Sequence, residues 1–378
     1  MSAAALQQIE AAALDDDIKA ALRAEVASGR FLGLASAELE QQKRDRRAAL
    51  TPVARRRLDY VENEGAIVKK EDIRLVHSIA ALCGLPYKAP PADQRIFSRQ
   101  NGPYSLAVQT GHLMDPNTGK WVEQGIPYGP KARLLFVHIC NEAVRTNSAE
   151  IEIADSLTGF MKELGLAVTG GAKGSLPQFK EQLARLASCS MLLGYTNGEG
   201  RADTSFRKAI EHVSLWLPRK ADQPMLWQST LTLDPQFYDG LRRHALPVDI
   251  RALRAVSQSA RQMDMVLWLT YRSRQIDKPL GISWAQLQSQ FSEKTGNIRS
   301  FKQKFAEDVT AVSELFGRRL KIALHEERGL VLYPMEPNGS TPSIDGRGLV
   351  PKKRIAEQNS ARKPYQSRYA KKPIKTGA

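Results

Sequence analysis

The sequence is short of most features that mark an enzyme, a secreted protein or a membrane protein. Its 378 residues include three cysteines, Cys83, Cys140 and Cys189, far apart and without any CxxC pair. That pattern excludes a disulfide framework and a cysteine-based zinc site, and leaves three ordinary thiols. The histidines His77, His112, His138, His212, His244 and His325 show no HxH or HExxH spacing, and no GxSxG or paired-carboxylate motif is visible. No metal, no cofactor and no catalytic group is therefore expected. Long apolar runs are missing too: "ARLLFV" and "MVLWL" fall far below the roughly 20 residues that cross a bilayer. The opening "MSAAALQQIEAAALDDD" has neither a basic n-region nor an apolar h-region, so a cytoplasmic protein without a membrane partner is expected. The last shortage is acidic charge. With 40 Asp and Glu against 55 Lys and Arg the formal net charge is +15, which points toward nucleic acid as a partner.

What is present organises itself along the chain. At 42% hydrophobic residues, the length is sufficient for two cores with additional segments. Residues 1–87, rich in Ala, Glu and Arg with apolar positions at helical spacing, predict a loosely packed helical arm. Its basic cluster, "QQKRDRRAALTPVARRRLDY", suits solubility, oligomerisation or DNA contact alike. Residues 88–130 carry Pro, Gly and Asn at turn positions and predict an irregular connecting segment with room for one short strand. Residues 131–222 and 223–336 then repeat one order of elements: helix, short strand, helix, helix, hairpin. In the first the helices fall at 132–145, 156–164 and 175–189, and "MLLGY" pairs with "VSLWLP". In the second they fall at 251–275, 284–292 and 297–316, and "LKIALHEERGLVLYP" turns at "EERG". This is the order of a winged-helix domain, whose third helix enters the major groove while the hairpin touches backbone. The expected fold is mostly α with small β-hairpins, an α+β protein of tandem winged-helix domains. A disordered basic tail at 337–378 completes it, with ten Lys or Arg against one Glu from Gly346 onward. So few apolar residues cannot offset chain entropy. Such a tail serves solubility or, the favoured reading, tethers the chain to DNA phosphates.

Glycines 170, 171 and 174, ahead of a helix, raise the question of a phosphate loop. A nucleotide-binding loop needs a buried strand before it and GK[ST] at the helix start. Here Lys173 precedes Gly174 and a helix comes before the loop, so the glycines are read as a turn between helices. Ser175 is the expected N-cap, leaving the first helical turn to face a DNA phosphate. Lys173 and Lys180 are expected phosphate contacts. Leu176, Phe179, Leu183 and Leu186 share an apolar face, which places Gln178, Glu181, Arg185 and Ser188 opposite, toward base edges or simply toward solvent. In the second unit Ile298, Phe301, Phe305, Val309, Val312 and Leu315 or Phe316 form an apolar stripe. Arg299, Ser300 and Gln303 lie opposite, with Thr310 further on, and Lys302 and Lys304 flank the stripe within reach of the DNA backbone. Arg and Gln are the residue types that contact guanine and adenine with two hydrogen bonds. Glu307 and Asp308 oppose close approach, so only the N-terminal half of this helix is expected in the groove. Arg318, Arg319 and Lys321 add positive charge at the wing.

The stretch "GIPYGPKARLLFVHICNEAVRTNSAEIEIADSLTGFMKELGLAVTGGAKGSLPQFKEQLARL" resembles the plasmid-encoded RepA family of replication initiators. Its landmarks are Pro127–Gly129, Arg133–Leu135, Glu142–Thr146 and Thr169–Gly171, in the family's order, and the similarity extends over residues 96–334. The resemblance implies a non-enzymatic DNA-binding initiator. Such a protein recognises repeated sites (iterons) in double-stranded plasmid origin DNA, helps open the duplex, and brings in the host initiator and replicative helicase. Repression of its own promoter, and through it control of copy number, is implied as well. A homodimer is also expected, from the arm and from the many apolar positions of the first helix (Leu134, Leu135, Ile139, Val144). The alternative is a transcriptional repressor of the same architecture without an initiation role. A relaxase or nuclease would need a metal-binding cluster near Tyr104, Tyr128 or Tyr271, and none is visible.

Overall fold

The computed structural model describes residues 2–28, 30, 33–64, 68–82, 84–115, 118–153, 159–162, 169, 174–196, 202–207, 209–214, 230–293, 297–316 and 320–334. The expected tail at 337–378 and Cys83 lie outside them. Helices α1 (Ser2–Ala11), α2 (Asp16–Ala27) and α3 (Ala35–Ala48) close on a small core of their own, Ile9, Ile18, Leu22 and Ala37. Helix α4 (Pro52–Asp59), capped by the Thr51 hydroxyl, leads into a π-helical turn at Tyr60–Glu64 that joins the main body. There Arg57 pairs with Glu314 at 3.4 Å and the Tyr60 hydroxyl donates to Asp249 at 3.1 Å. Strand β1 (Ile73–His77) and the short helix α5 (Ile79–Leu82) follow. The predicted arm therefore ends in a strand that its helical spacing did not announce.

The segment expected to be irregular is ordered. It contains two hairpins, β2 (Ile96–Asn101) with β3 (Tyr104–Gln109), and β4 (Gly111–Met114) with β5 (Trp121–Gln124). Gly102 (φ 57°) and Pro103 turn the first hairpin and Gly119 (φ 65°) lies in the turn of the second, while 88–94 precede both.

The first half runs α6 (Gly129–Thr146), β6 (Glu150–Glu152), α7 (Ser175–Ser188), β7 (Ser190–Thr196), β8 (Ala202–Arg207), β9 (Ile210–Ser214) and β10 (Thr230–Leu233). The helix expected at 156–164 lies mostly outside the described residues, apart from 159–162. The expected hairpin of "MLLGY" with "VSLWLP" does not form. Strand β7 pairs instead with β3 and β8, setting Leu193 opposite Leu106 and Met191 opposite Val108. These apolar residues find a matching face 80-odd positions upstream, a pairing no local pattern shows. Strand β9 pairs with β10, and β10 with β6, giving the order β6-β10-β9.

The second half runs α8 (Pro235–Arg243), β11 (Ala245–Asp249), α9 (Ile250–Ala255), α10 (Ala260–Arg272), β12 (Leu280–Ile282), α11 (Trp284–Phe291), α12 (Ile298–Phe316), β13 (Ile322–His325) and β14 (Gly329–Leu332). Strand β11 is antiparallel to β1. The single helix expected at 251–275 is two, because Ser259 starts α10 as its cap, accepting from the Gln262 N–H at 3.3 Å. The sheet order is β12-β14-β13, so in both halves the last strand sits between the other two.

One continuous apolar core reaches from Tyr60 to Leu332 and takes in both halves. Helix α6 is its axis: Leu134, Leu135 and Ile139 are buried, and the helix is covered almost all round. Those residues, which together with the arm motivated the homodimer expectation, are used inside the monomer. The described fold is mostly helical with small antiparallel sheets, an α+β protein.

Candidate nucleic-acid interface

Helix α12 is preceded by Asn297, whose side-chain oxygen accepts from the Arg299 N–H at 2.9 Å. Its apolar stripe packs as aromatic edges: Phe305 lies 5.9 Å from the Trp284 ring and 5.6 Å from Phe291, centroid to centroid. Ile298, read as part of this stripe, is 40% exposed, since the core begins only at Phe301. The Trp284 indole N–H is shared between the carbonyls of Glu326 (2.7 Å) and His325 (3.0 Å), which fastens the β13–β14 turn to the start of α11. Lys302 donates to the same Glu326 carbonyl at 2.8 Å and sits 5.4 Å over the Trp284 ring. Its ammonium is thus spent on holding the hairpin against α12.

Arg299, Ser300, Gln303 and Lys304 form the exposed face of the first turns of α12. Among the described residues, the Arg299 and Lys304 side chains make no hydrogen bond or ion pair. Gln303 reaches toward Glu307 at 3.5 Å, a contact too long to hold it. Asp308 was expected to repel DNA, but it turns inward and pairs with Arg261 while accepting from Gln262 at 2.7 Å. Glu307 remains exposed, as does Thr310. At the hairpin, Lys321 is exposed over the Tyr333 ring at 5.1 Å, and Arg318 and Arg319 lie outside the described residues.

The start of α7 differs from the expectation. Gly174 holds the cap position, and Ser175 is the first helical residue. Thr169 and Ser175 lock the loop across six residues, Thr169 N–H donating to the Ser175 hydroxyl (3.1 Å) and Ser175 N–H to the Thr169 hydroxyl (3.0 Å). Leu176 N–H donates to the Thr169 carbonyl at 3.2 Å, and Pro177 has no N–H to give. This helix end therefore has few donors left for a phosphate. Gly170, Gly171 and Lys173 lie outside the described residues.

On α7 itself, Lys180 is half-buried and Gln178 accepts from Lys131 of α6, a basic neighbour that sequence spacing could not supply. Arg185 points back into the protein: it pairs with Glu181 at 2.7 Å, donates to the Ile126 carbonyl at 3.1 Å and lies 5.2 Å over the Tyr128 ring. Gln182 is buried and accepts from the Tyr128 N–H at 2.9 Å. Among the described residues there is no His, Cys, Asp and Glu group able to hold a metal ion, and no helix is long and apolar enough to cross a membrane. Burial pushes the Cys140 and Cys189 thiols up to about 12.

Fold and surface define a mostly helical α+β protein that presents a basic helical face beside a small hairpin sheet. Residues 126–286 match the family model described as plasmid encoded RepA protein. All the landmark motifs fall inside the match. The exposed face of α12 and the β13–β14 hairpin fall beyond it, although the resemblance was expected to run to residue 334. Solved structures that are similar include two of RctB domains. Selenomethionine derivatives of domain 2 and domain 3 of RctB share 10% identity at a TM-score of 0.44, covering 69% of this chain and 98% of that one. Domains 2–3 of RctB share 12% at 0.39, covering 68% and 95%. No curated protein matches the chain.

Proposed function

We propose that the chain initiates plasmid replication, binding repeated sites in double-stranded origin DNA, helping to open the duplex and bringing in the host initiator and replicative helicase. Repression of its own promoter belongs to the same reading, as does action without catalysis. The observation that carries the proposal is the RepA family match over residues 126–286. Two units are read as winged helices. Their support is the recurrence of helix, strand, helix and two strands with the last strand central, as β6-β10-β9 and as β12-β14-β13. On this reading β9 and β10 are the first wing, and β7–β8 is an insertion. The basic surface offered to DNA is Arg299, Ser300, Gln303, Lys304 and Lys321, with Lys180 and Gln178 of α7. Arg185 and Lys302 are left out because their charges are already engaged within the protein.

The test is a plasmid whose only origin is the DNA flanking this coding region. It is expected to replicate when the chain is supplied and to fail without it. Arg299→Ala is expected to cost about 1–3 kcal/mol on the recognised site and little on random duplex, so replication should fall with it. A chain that represses its promoter yet supports no replication would establish the repressor alternative instead.

A further inference from the structure

The β4–β5 hairpin has no role in the two winged-helix units, and its construction is unusual. Its base is clamped by the last turn of α7. At one end, Gly111 lies so close to Ser188 that an added Cβ would sit 1.9 Å from the Ser188 carbonyl oxygen. At the other, Arg185 crowds Gly125 and binds the Ile126 carbonyl. Both strands are thus held at the ribbon's base by one helix, and among its described residues away from the base some are exposed on each face. Trp121 is 67% exposed and Met114, directly opposite it, 55%, while Val122 on the other face is 44% exposed. Of the two acids near the tip, one is ion-paired and the other caps the turn with its charge kept. Glu123 pairs with Arg95 at 2.6 Å, and the Asp115 carboxylate accepts from the Thr118 N–H at 3.0 Å. Lys120, between them, makes no side-chain hydrogen bond or ion pair among the described residues.

We propose that this ribbon is a wedge for duplex DNA: Trp121 and Met114 insert at a base step beside the segment faced by α7, with Lys120 on the adjoining phosphate. The proposal rests on the DNA-binding reading above. Three features favour DNA over a protein partner. The tip offers an exposed ammonium, Lys120, on a chain of net charge +15. The ribbon is rooted on the helix assigned to DNA. Finally, two side chains expose far less than the roughly 800 Å² per partner that a stable protein interface buries, whereas unstacking a base step needs only one or two apolar side chains. A wedge of this kind would act on the duplex that an initiator must open.

The test uses the full chain and a duplex selected by it from a random library, carrying 2-aminopurine at successive positions. Wild type is expected to raise the fluorescence at one step. Trp121→Ser combined with Met114→Ser is expected to abolish that rise and weaken binding about tenfold, with the salt dependence and the thermal midpoint unchanged; Trp121→Phe should retain most of the signal. Equal affinity and an equal rise for the double variant would overturn the wedge while leaving DNA binding intact. Intact DNA behaviour with loss of a host replication protein from the complex would overturn it as well, assigning the ribbon to protein. A wild-type chain that selects no duplex would bring down both this proposal and the reading beneath it.

Discussion

His138 lies on α6 between two of the family landmarks and shows what those landmarks do. Glu142 is held by Arg145 at 2.6 Å, and the Thr146 hydroxyl donates to the Glu142 carbonyl at 2.8 Å. The landmark Glu142–Thr146 thus ties off the end of a core helix, and its Glu142 and Arg145 charges are spent on each other. His138 stacks on Phe160 at 4.5 Å, and burial pushes its pKa from the ordinary 6.5 down to about 4, against the pull of Glu142 and with the push of Arg74 and Arg145. Between those two values the unfolded chain takes up a proton that the folded chain refuses. Stability from this group is therefore complete above the unfolded pKa of 6.5 and is lost as the pH falls toward 4. The full loss is about 3 kcal/mol. Urea unfolding of wild type and His138→Leu across this range should show a stability difference between the two proteins that shifts in the variant's favour as pH falls. A difference independent of pH would mean that His138 titrates as freely as in the unfolded chain.

Elements with strong local signals were legible in advance. The apolar stripe of α12, the alternation in β13–β14, and the extent of α6 and α7 all follow from spacing within a few turns of chain. The strand pairings did not follow, because β7 chooses β3, and β1 chooses β11, across long stretches of sequence with no register marker. The connecting segment was misread for a related reason: its turn residues are equally compatible with loop and with hairpin, and only partners decide. The candidate DNA face was half legible. Helical periodicity placed Arg299 and Gln303 outside, but it could not show that Lys302 would be taken by the Glu326 carbonyl or Arg185 by that of Ile126. One element makes this concrete. The β13–β14 turn ends at Gly329, with φ +107° and room for no Cβ, which would lie 2.2 Å from the Ile282 carbonyl oxygen on the neighbouring β12. Gly329→Ala is expected to cost about 2 kcal/mol or more, from both backbone strain and the clash. Denaturant unfolding measures it. A cost under about 0.5 kcal/mol would mean that the hairpin is not fixed to β12 as described.

Across the whole molecule, the two halves meet at a buried charge cluster. Asp264 of α10 pairs with Arg133 of α6, Nε at 2.6 Å and a second guanidinium nitrogen at 2.7 Å, and with Arg99 of β2 at 3.5 Å. Arg133 also donates to the carbonyls of Leu85 (2.5 Å), Pro86 (3.0 Å) and Gly129 (3.0 Å), so the segment entering the body is wrapped around the same guanidinium. Arg99 reaches Glu293 at 3.4 Å and lies 4.3 Å over the Tyr87 ring. Burial works against the Arg133 cation, yet Asp264 outweighs it and its pKa is raised. Such a cluster is costly to assemble, and it becomes far more costly when one member is lost. Asp264→Leu strands the buried Arg133 cation and leaves Arg99 with Glu293 alone, and is expected to destabilise by about 3–5 kcal/mol. Arg133→Met should cost less, because Arg99 still faces the carboxylate. The double variant should cost clearly less than the sum of the two, since the second change removes the cation that the first left stranded. Denaturant unfolding of the four proteins closes the cycle. Additive losses would mean that Arg133 and Asp264 stabilise their own helices separately, and that the joint between the halves is made by the shared apolar core alone.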